Sequence, residues 1–173
     1  PTPLSREIAC KTARYLIVSG QTKAAATLTA ELHQHWTDQL GADHPDTLIT
    51  AQHHAHALRD LGDFTASHTI SQDTYERHRR TLGEDHPHTL MSANNLAGTL
   101  RDLGRAKEAL PVAQDAYERC RRVLGEDHPD TLASARNLVM IFKALGKSKS
   151  ARALEIRIPW KRRNKGKNKR KGR

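Results

Sequence analysis

Histidine and aspartate offer the most obvious chemistry in this chain. Three of its eleven histidines follow an aspartate directly, as Asp43-His44, Asp85-His86 and Asp127-His128, and others bunch as His53-His54-x-His56 and His33-x-His35. Adjacent acid and imidazole suggest proton transfer, and clustered imidazoles suggest a metal site. The spacing argues against both. On a helix, His53 and His56 share a face while His54 points about 100° away, and metal-binding imidazoles need convergent geometry with a supporting carboxylate. The three Asp-His pairs recur at a fixed spacing, too far apart to share an ion, and a catalytic site is usually single. A repeated Asp-His is instead expected to cap a helix end or pack on a neighbouring loop. The sequence has no Ser/His/Asp motif, Cys-x-x-Cys, His-Glu-x-x-His or Gly-x4-Gly-Lys-Ser/Thr phosphate loop. No enzyme activity, metal or cofactor is expected.

The charge is unevenly placed. Of the formal net +10, nine Lys or Arg and no acid fall after Trp160: Lys161, Arg162, Arg163, Lys165, Lys167, Lys169, Arg170, Lys171 and Arg173. The rest of the chain, with 20 bases and 19 acids, is close to neutral. Like charges repel and nothing apolar follows Trp160, so residues 159–173 read as a basic disordered tail. Such a tail suits nucleic acid or an anionic surface by counterion release; without interleaved aromatics, nucleic-acid binding would be sequence-independent. Cys10 and Cys120 are too few and too far apart for a disulfide scaffold, which fits a reducing cytoplasm. No apolar run approaches the roughly 18 residues of a membrane span. The chain begins at Pro1 without an initiator Met, as a piece of a longer protein would.

The elements that position these residues follow from a repeat. The phrase Leu40-Gly41-Ala42-Asp43-His44-Pro45-Asp46-Thr47-Leu48 returns at 82–90 and at 124–132, 42 residues apart each time. Gly20, Gly62, Gly104 and Gly146 keep the same period. A fixed period of this size signals a solenoid of supersecondary units. Within each unit, apolar residues recur every three or four positions on both sides of the glycine. Leu90, Ala93, Leu96, Ala97, Leu100 and Leu103 mark one amphipathic helix, A, and Ala109, Val112, Ala113, Ala116, Tyr117, Cys120, Val123 and Leu124 mark a second, B. The connector's glycine suits a left-handed helix cap and its proline the first turn of the next helix. Arg77-x-Arg79-Arg80 and Arg119-x-Arg121-Arg122, near the ends of the B helices, are expected to complement the helix dipole. Four helix pairs are predicted, at about 4–45, 46–87, 88–129 and 130–158, the last shortened near Pro159.

Asn95-Leu96-Ala97, Leu100, Leu103-Gly104, Arg105, Glu108-Ala109 and Ala116 resemble a tetratricopeptide repeat (TPR). The 42-residue period and the Leu-Gly-Glu-Asp-His-Pro-Asp-Thr-Leu connector resemble the kinesin light chain-type subfamily, whose wording also occurs in bacterial proteins behind an NB-ARC-type ATPase. The resemblance covers residues 4–158. It implies an all-α, right-handed α-solenoid over residues 1–158 that serves as a non-catalytic protein-protein interaction scaffold. It also implies that the A helices line a concave groove holding a peptide or partner protein, acidic or C-terminal. Carried over by register, the groove residues are Lys11, Arg14, Gln52, His53, His56, Arg59, Asn94, Asn95, Arg101, Arg136, Asn137 and Lys143. Amides suit a peptide backbone, and arginines and lysines suit carboxylates. The alternative is a nucleic-acid-associated adaptor that uses the tail.

Overall fold

The computed structural model describes residues 2–158; the expected tail, residues 159–173, lies outside the described residues. Within them the chain forms eight helices and no strand. The A helices are α1 (Pro3–Val18), α3 (Pro45–Asp60), α5 (Pro87–Asp102) and α7 (Pro129–Ala144), and the B helices are α2 (Thr22–Leu40), α4 (Phe64–Leu82), α6 (Ala106–Leu124) and α8 (Ser148–Arg157). This is the all-α solenoid expected of the repeat.

Two kinds of glycine turn set the frame. At the A-to-B turn, the N–H of Asp63 donates to Leu58 O at 2.9 Å and that of Gly62 to Arg59 O at 3.0 Å, the paired bonds of a Schellman cap. Gly104 and Gly146, with the residues that follow them, repeat the pattern. The connector glycines differ from the expected left-handed cap. Gly41, Gly83 and Gly125 combine φ of 92°, 84° and 90° with ψ of 158°, 167° and 163°. That extended-ψ region is essentially closed to side-chain-bearing residues. It turns the chain out of the B helix into the Asp-His-Pro segment instead of curling it back.

The connector histidine starts the next helix. His44 Nδ1 accepts from the Asp46 N–H at 3.2 Å, and His86 and His128 do the same for His88 and Asp130. A proline stands in the first turn of each of these helices, where its missing N–H costs nothing. The Asp-His phrase is therefore a capping device, and its Leu48 and Leu90 are buried at 3% and 2% exposure.

Alanines fill the places where helices approach: Ala13, Ala25, Ala97, Ala109, Ala113 and Ala116 are each 0% exposed. An apolar cluster joins Leu96 and Leu100 of α5, Leu138 and Ile141 of α7, and Leu154 and Ile158 at the end of the array. Each helix packs on the next in sequence, and successive A helices also touch one another, whereas no pair of B helices makes comparable contact. A stack whose A helices lie closer than its B helices bends toward the A side, so the A helices line the inner face.

The last B helix has 10 residues against 19 in α6. Pro159 explains the early stop, because a proline disfavours helical geometry in the residue before it. Ile158 accordingly leaves the helix with ψ 122°.

Candidate ligand-binding face

The inner face is built from residues at four register positions on the A helices. Neighbouring A helices are stitched by polar bonds. Arg6 of α1 reaches Asp46 of α3 at 2.6 Å. Gln52 of α3, only 5% exposed, donates to Ser92 Oγ and to His88 O of α5. Asn137 of α7 donates from its amide to Asn94 O at 3.0 Å and to Asn94 Oδ1 at 3.1 Å, and accepts from Arg101 at 2.8 Å. Gln52, Asn94 and Asn137 therefore brace the wall of which they form part.

A charged group sits at its centre. Arg101 holds Asp102 through both Nε and a terminal nitrogen, at 2.9 and 2.6 Å, and Arg59 approaches the same carboxylate at 3.8 Å. The Arg59 guanidinium lies over Gly98, where an added Cβ would stand 2.8 Å from its terminal nitrogen. Gly98 is thus the gap through which α3 reaches α5. Its register partners Arg14, His56 and Met140 all carry long side chains.

On α3, burial is the largest influence holding His53 low, at about 4, with His56 and Arg14 adding to it. His56 is lowered by burial and by Arg59, against the opposing pull of Asp60 at 3.7 Å. Both rings are thus held toward the neutral form. Lys11 pairs with Glu7 at 2.6 Å, and Lys143 with Glu155 at 2.8 Å. Arg14, the Asn95 amide and Arg136 have no hydrogen bond or ion pair among the described residues, and both arginines are exposed. The expected residues thus divide into a braced set and an available set. The structure brings Arg59 and Arg101 to Asp102, with Asn137 bonded to Arg101, and leaves Lys11 and Lys143 near opposite ends.

The arginines at the ends of the B helices do more than complement a dipole. Arg77 and Arg80 both bond Asp43 of the preceding connector, at 2.8 and 2.6 Å. Arg119 and Arg122 repeat this with Asp85 at 3.0 and 2.6 Å. Hydrogen bonding from these arginines holds Asp43 and Asp85 below the usual carboxylate range. The signal was present in the sequence, since donor and acceptor repeat together with the same period. His78 was another missed role: its Nδ1 bonds Ser92 Oγ at 2.7 Å and its ring stacks on His88. Its register partners are Trp36 and Cys120, all three buried to 2% exposure or less. His54 turns away from the face to Thr29 Oγ1 at 3.1 Å. Among the described residues no three His, Cys, Asp or Glu side chains converge as metal ligands, and no helix is long and apolar enough to cross a membrane.

Stacked helix pairs with a bent inner wall define a repeat solenoid. Residues 48–119 and 89–157 match the family model described as tetratricopeptide repeat, and the chain belongs to that family. The fold is similar to a crystal structure of a substituted variant of the kinesin light chain nearly identical TPR-like repeats of Podosopora anserina (TM-score 0.74, 23% identity, covering 91% of this chain and 74% of that one). A second structure of those repeats gives TM-score 0.71 at 23% identity, covering 98% and 79%. BtubC (BKLC) from P. vanneervenii gives 0.70 at 18% identity, covering 93% and 72%. A comparison with curated proteins finds no match.

Proposed function

We propose that this chain is a non-catalytic scaffold that binds an extended peptide or a partner protein along the inner face of its A helices. One observation carries the reading: among the described residues Arg14, the Asn95 amide and Arg136 have no hydrogen bond or ion pair, on a wall where Gln52, Asn94, Arg101 and Asn137 are already bonded. A free amide beside a braced network loses little freedom when it meets a peptide backbone, and preorganisation of this kind favours affinity. The exposed arginines favour an acidic ligand or a terminal carboxylate. The division proposed is a solenoid over 1–158 followed by the basic segment 159–173, in a cytoplasmic protein of bacterial type.

The test is a pull-down followed by titration of the recovered partner. Asn95→Ala and the double variant Arg14→Ala/Arg136→Ala are expected to weaken binding about tenfold or more, one lost charge-assisted contact being worth roughly 1.5–3 kcal/mol. Unchanged recovery by both variants would remove the groove reading. The second reading, a nucleic-acid-associated adaptor, is supported by the nine bases of residues 161–173. Deleting 160–173 abolishes nucleic-acid binding under that reading and leaves peptide binding intact under the first.

A further inference from the structure

Helix α1 is apolar on two sides. Its buried side, around Ala13, meets α2 and α3. On the opposite side Leu4, Ile8, Tyr15 and Val18 are 66%, 55%, 66% and 80% exposed. These are four of the nine large apolar side chains exposed among the described residues, and the other five are scattered over different helices and turns. With Lys11, also exposed, the four follow the alternating four- and three-residue steps of a helix-pairing seam. At 100° per residue all five lie within about 80° of arc.

This stripe differs from the seam that the repeats use among themselves. The register counterparts of Ile8 are Thr50, Ser92 and Ser134, all buried and all bearing a hydroxyl. On α5, Ser92 and Thr99, the counterparts of Ile8 and Tyr15, bond His78 and Ser67 of the preceding B helix. Isoleucine makes no such bond, and bulk at both places keeps a B helix from approaching as closely.

The flanking charges point to a helix of the same sequence. Glu7 and Arg14, one heptad apart, border the stripe on one side, and Ser5 and Thr12 border it on the other, all four exposed. Two α1 helices laid antiparallel, with Ile8 opposite the partner's Lys11, bring Leu4 opposite the partner's Tyr15. Glu7 then stands beside the partner's Arg14, and a two-fold axis makes this pair twice. Sliding the helices by one heptad sets Glu7 against Glu7 in one direction and Arg14 against Arg14 in the other. A parallel pair sets Lys11 against Lys11. In the antiparallel seam Lys11 is accommodated, since its ammonium already holds Glu7 at 2.6 Å and its stem lies along the partner's Ile8.

We propose that α1 is a self-association surface, pairing antiparallel with α1 of a second copy of this chain through Leu4, Ile8 and Tyr15, with Glu7 and Arg14 fixing the register. Arg14 is then engaged by the second copy, and Asn95 and Arg136 remain on the inner face for a ligand.

Sedimentation equilibrium of the full chain tests this, over a concentration series reaching about 1 mM. The expected result is a reversible monomer–dimer equilibrium. Ile8→Glu and Tyr15→Glu should each weaken it about tenfold or more. Both positions are exposed, so circular dichroism should show unchanged helical content. Glu7→Arg alone and Arg14→Glu alone should each weaken pairing severalfold. The double variant Glu7→Arg/Arg14→Glu should restore it, because the exchanged charges meet again across the axis. A chain monomeric throughout the series would overturn the proposal and leave the stripe to a different protein. Association that survives both Ile8→Glu and Tyr15→Glu would also overturn it. A double variant no tighter than its singles would overturn the antiparallel register.

Discussion

The outer edge and the inner face of this solenoid are organised by opposite rules. On the outer edge the same clamp is made twice with the same residue types, Asp43 with Arg77 and Arg80, and Asp85 with Arg119 and Arg122. On the inner face no tie repeats. Arg6 meets Asp46, Gln52 meets Ser92, and Asn137 meets Asn94 and Arg101. A contact that sets the geometry of every unit must recur with the unit. A surface that distinguishes one ligand from another gains nothing from recurring. Periodic residues therefore belong to the frame, and under the proposed groove reading the aperiodic ones would serve recognition; Asn95 against Asn137 is the sharpest case. They share a register position, yet one amide makes no hydrogen bond among the described residues and the other is locked between α5 and α7.

The contrast can be broken at several points. The largest effect is expected from the frame. Leu90→Ala removes a connector side chain 2% exposed and should cost about 2–5 kcal/mol in urea unfolding. Asn95→Ala, on the face, should stay within about 0.5 kcal/mol. His78 comes next. Burial, with His88 and His86 beside it, holds its folded value at about 4 against 6.5 for the free side chain. Between those values the unfolded state takes up the proton and the folded state does not, so stability falls as pH drops from 6.5 toward 4. The loss is on the order of 3 kcal/mol. Replacing His78 with Phe should flatten this part of a melting-temperature profile, and an unchanged slope would assign the acid sensitivity elsewhere.

Asn137→Ala should cost about 1–3 kcal/mol, because it strands the Asn94 and Arg101 groups that bond it. Equal effects of Asn137→Ala and Asn95→Ala would erase the distinction between braced and available amides. Gly98→Ala should be mild and of opposite sign. The helix gains up to about 1 kcal/mol, and the atom displaced is the far end of Arg59, which can swing away. The readout is ligand affinity, which should change while thermal stability holds or rises. The smallest effect is Asp85→Asn, which loosens one exposed clamp. Its carboxyl is held below the usual carboxylate range, so the contribution is present at neutral pH and fades as pH falls through the lowered value. The melting-temperature difference from wild type should shrink in strong salt.

Much of the fold was legible before any coordinates. The 42-residue spacing of the connectors located every turn, and three- and four-residue apolar steps located every helix. The connector histidine was expected to cap a helix, and it does. The site was legible only as a set of register positions. Register places Asn95 and Asn137 on one wall, but which amide is consumed depends on whether a neighbouring side chain is long enough to reach it. Gly98 shows the same limit, since its meaning depends on Arg59 of another helix.

The sequence by itself determined the repeat length, the helix pairs, the capping chemistry and the early end of α8, because each depends on residues within one or two turns of one another. Only the tertiary structure decided which polar groups on the inner face are spent on bracing and that the B-helix arginines clamp the previous connector. Those outcomes rest on distances between residues some 34 to 43 positions apart in the chain. Helix packing sets those distances, and no local propensity encodes them.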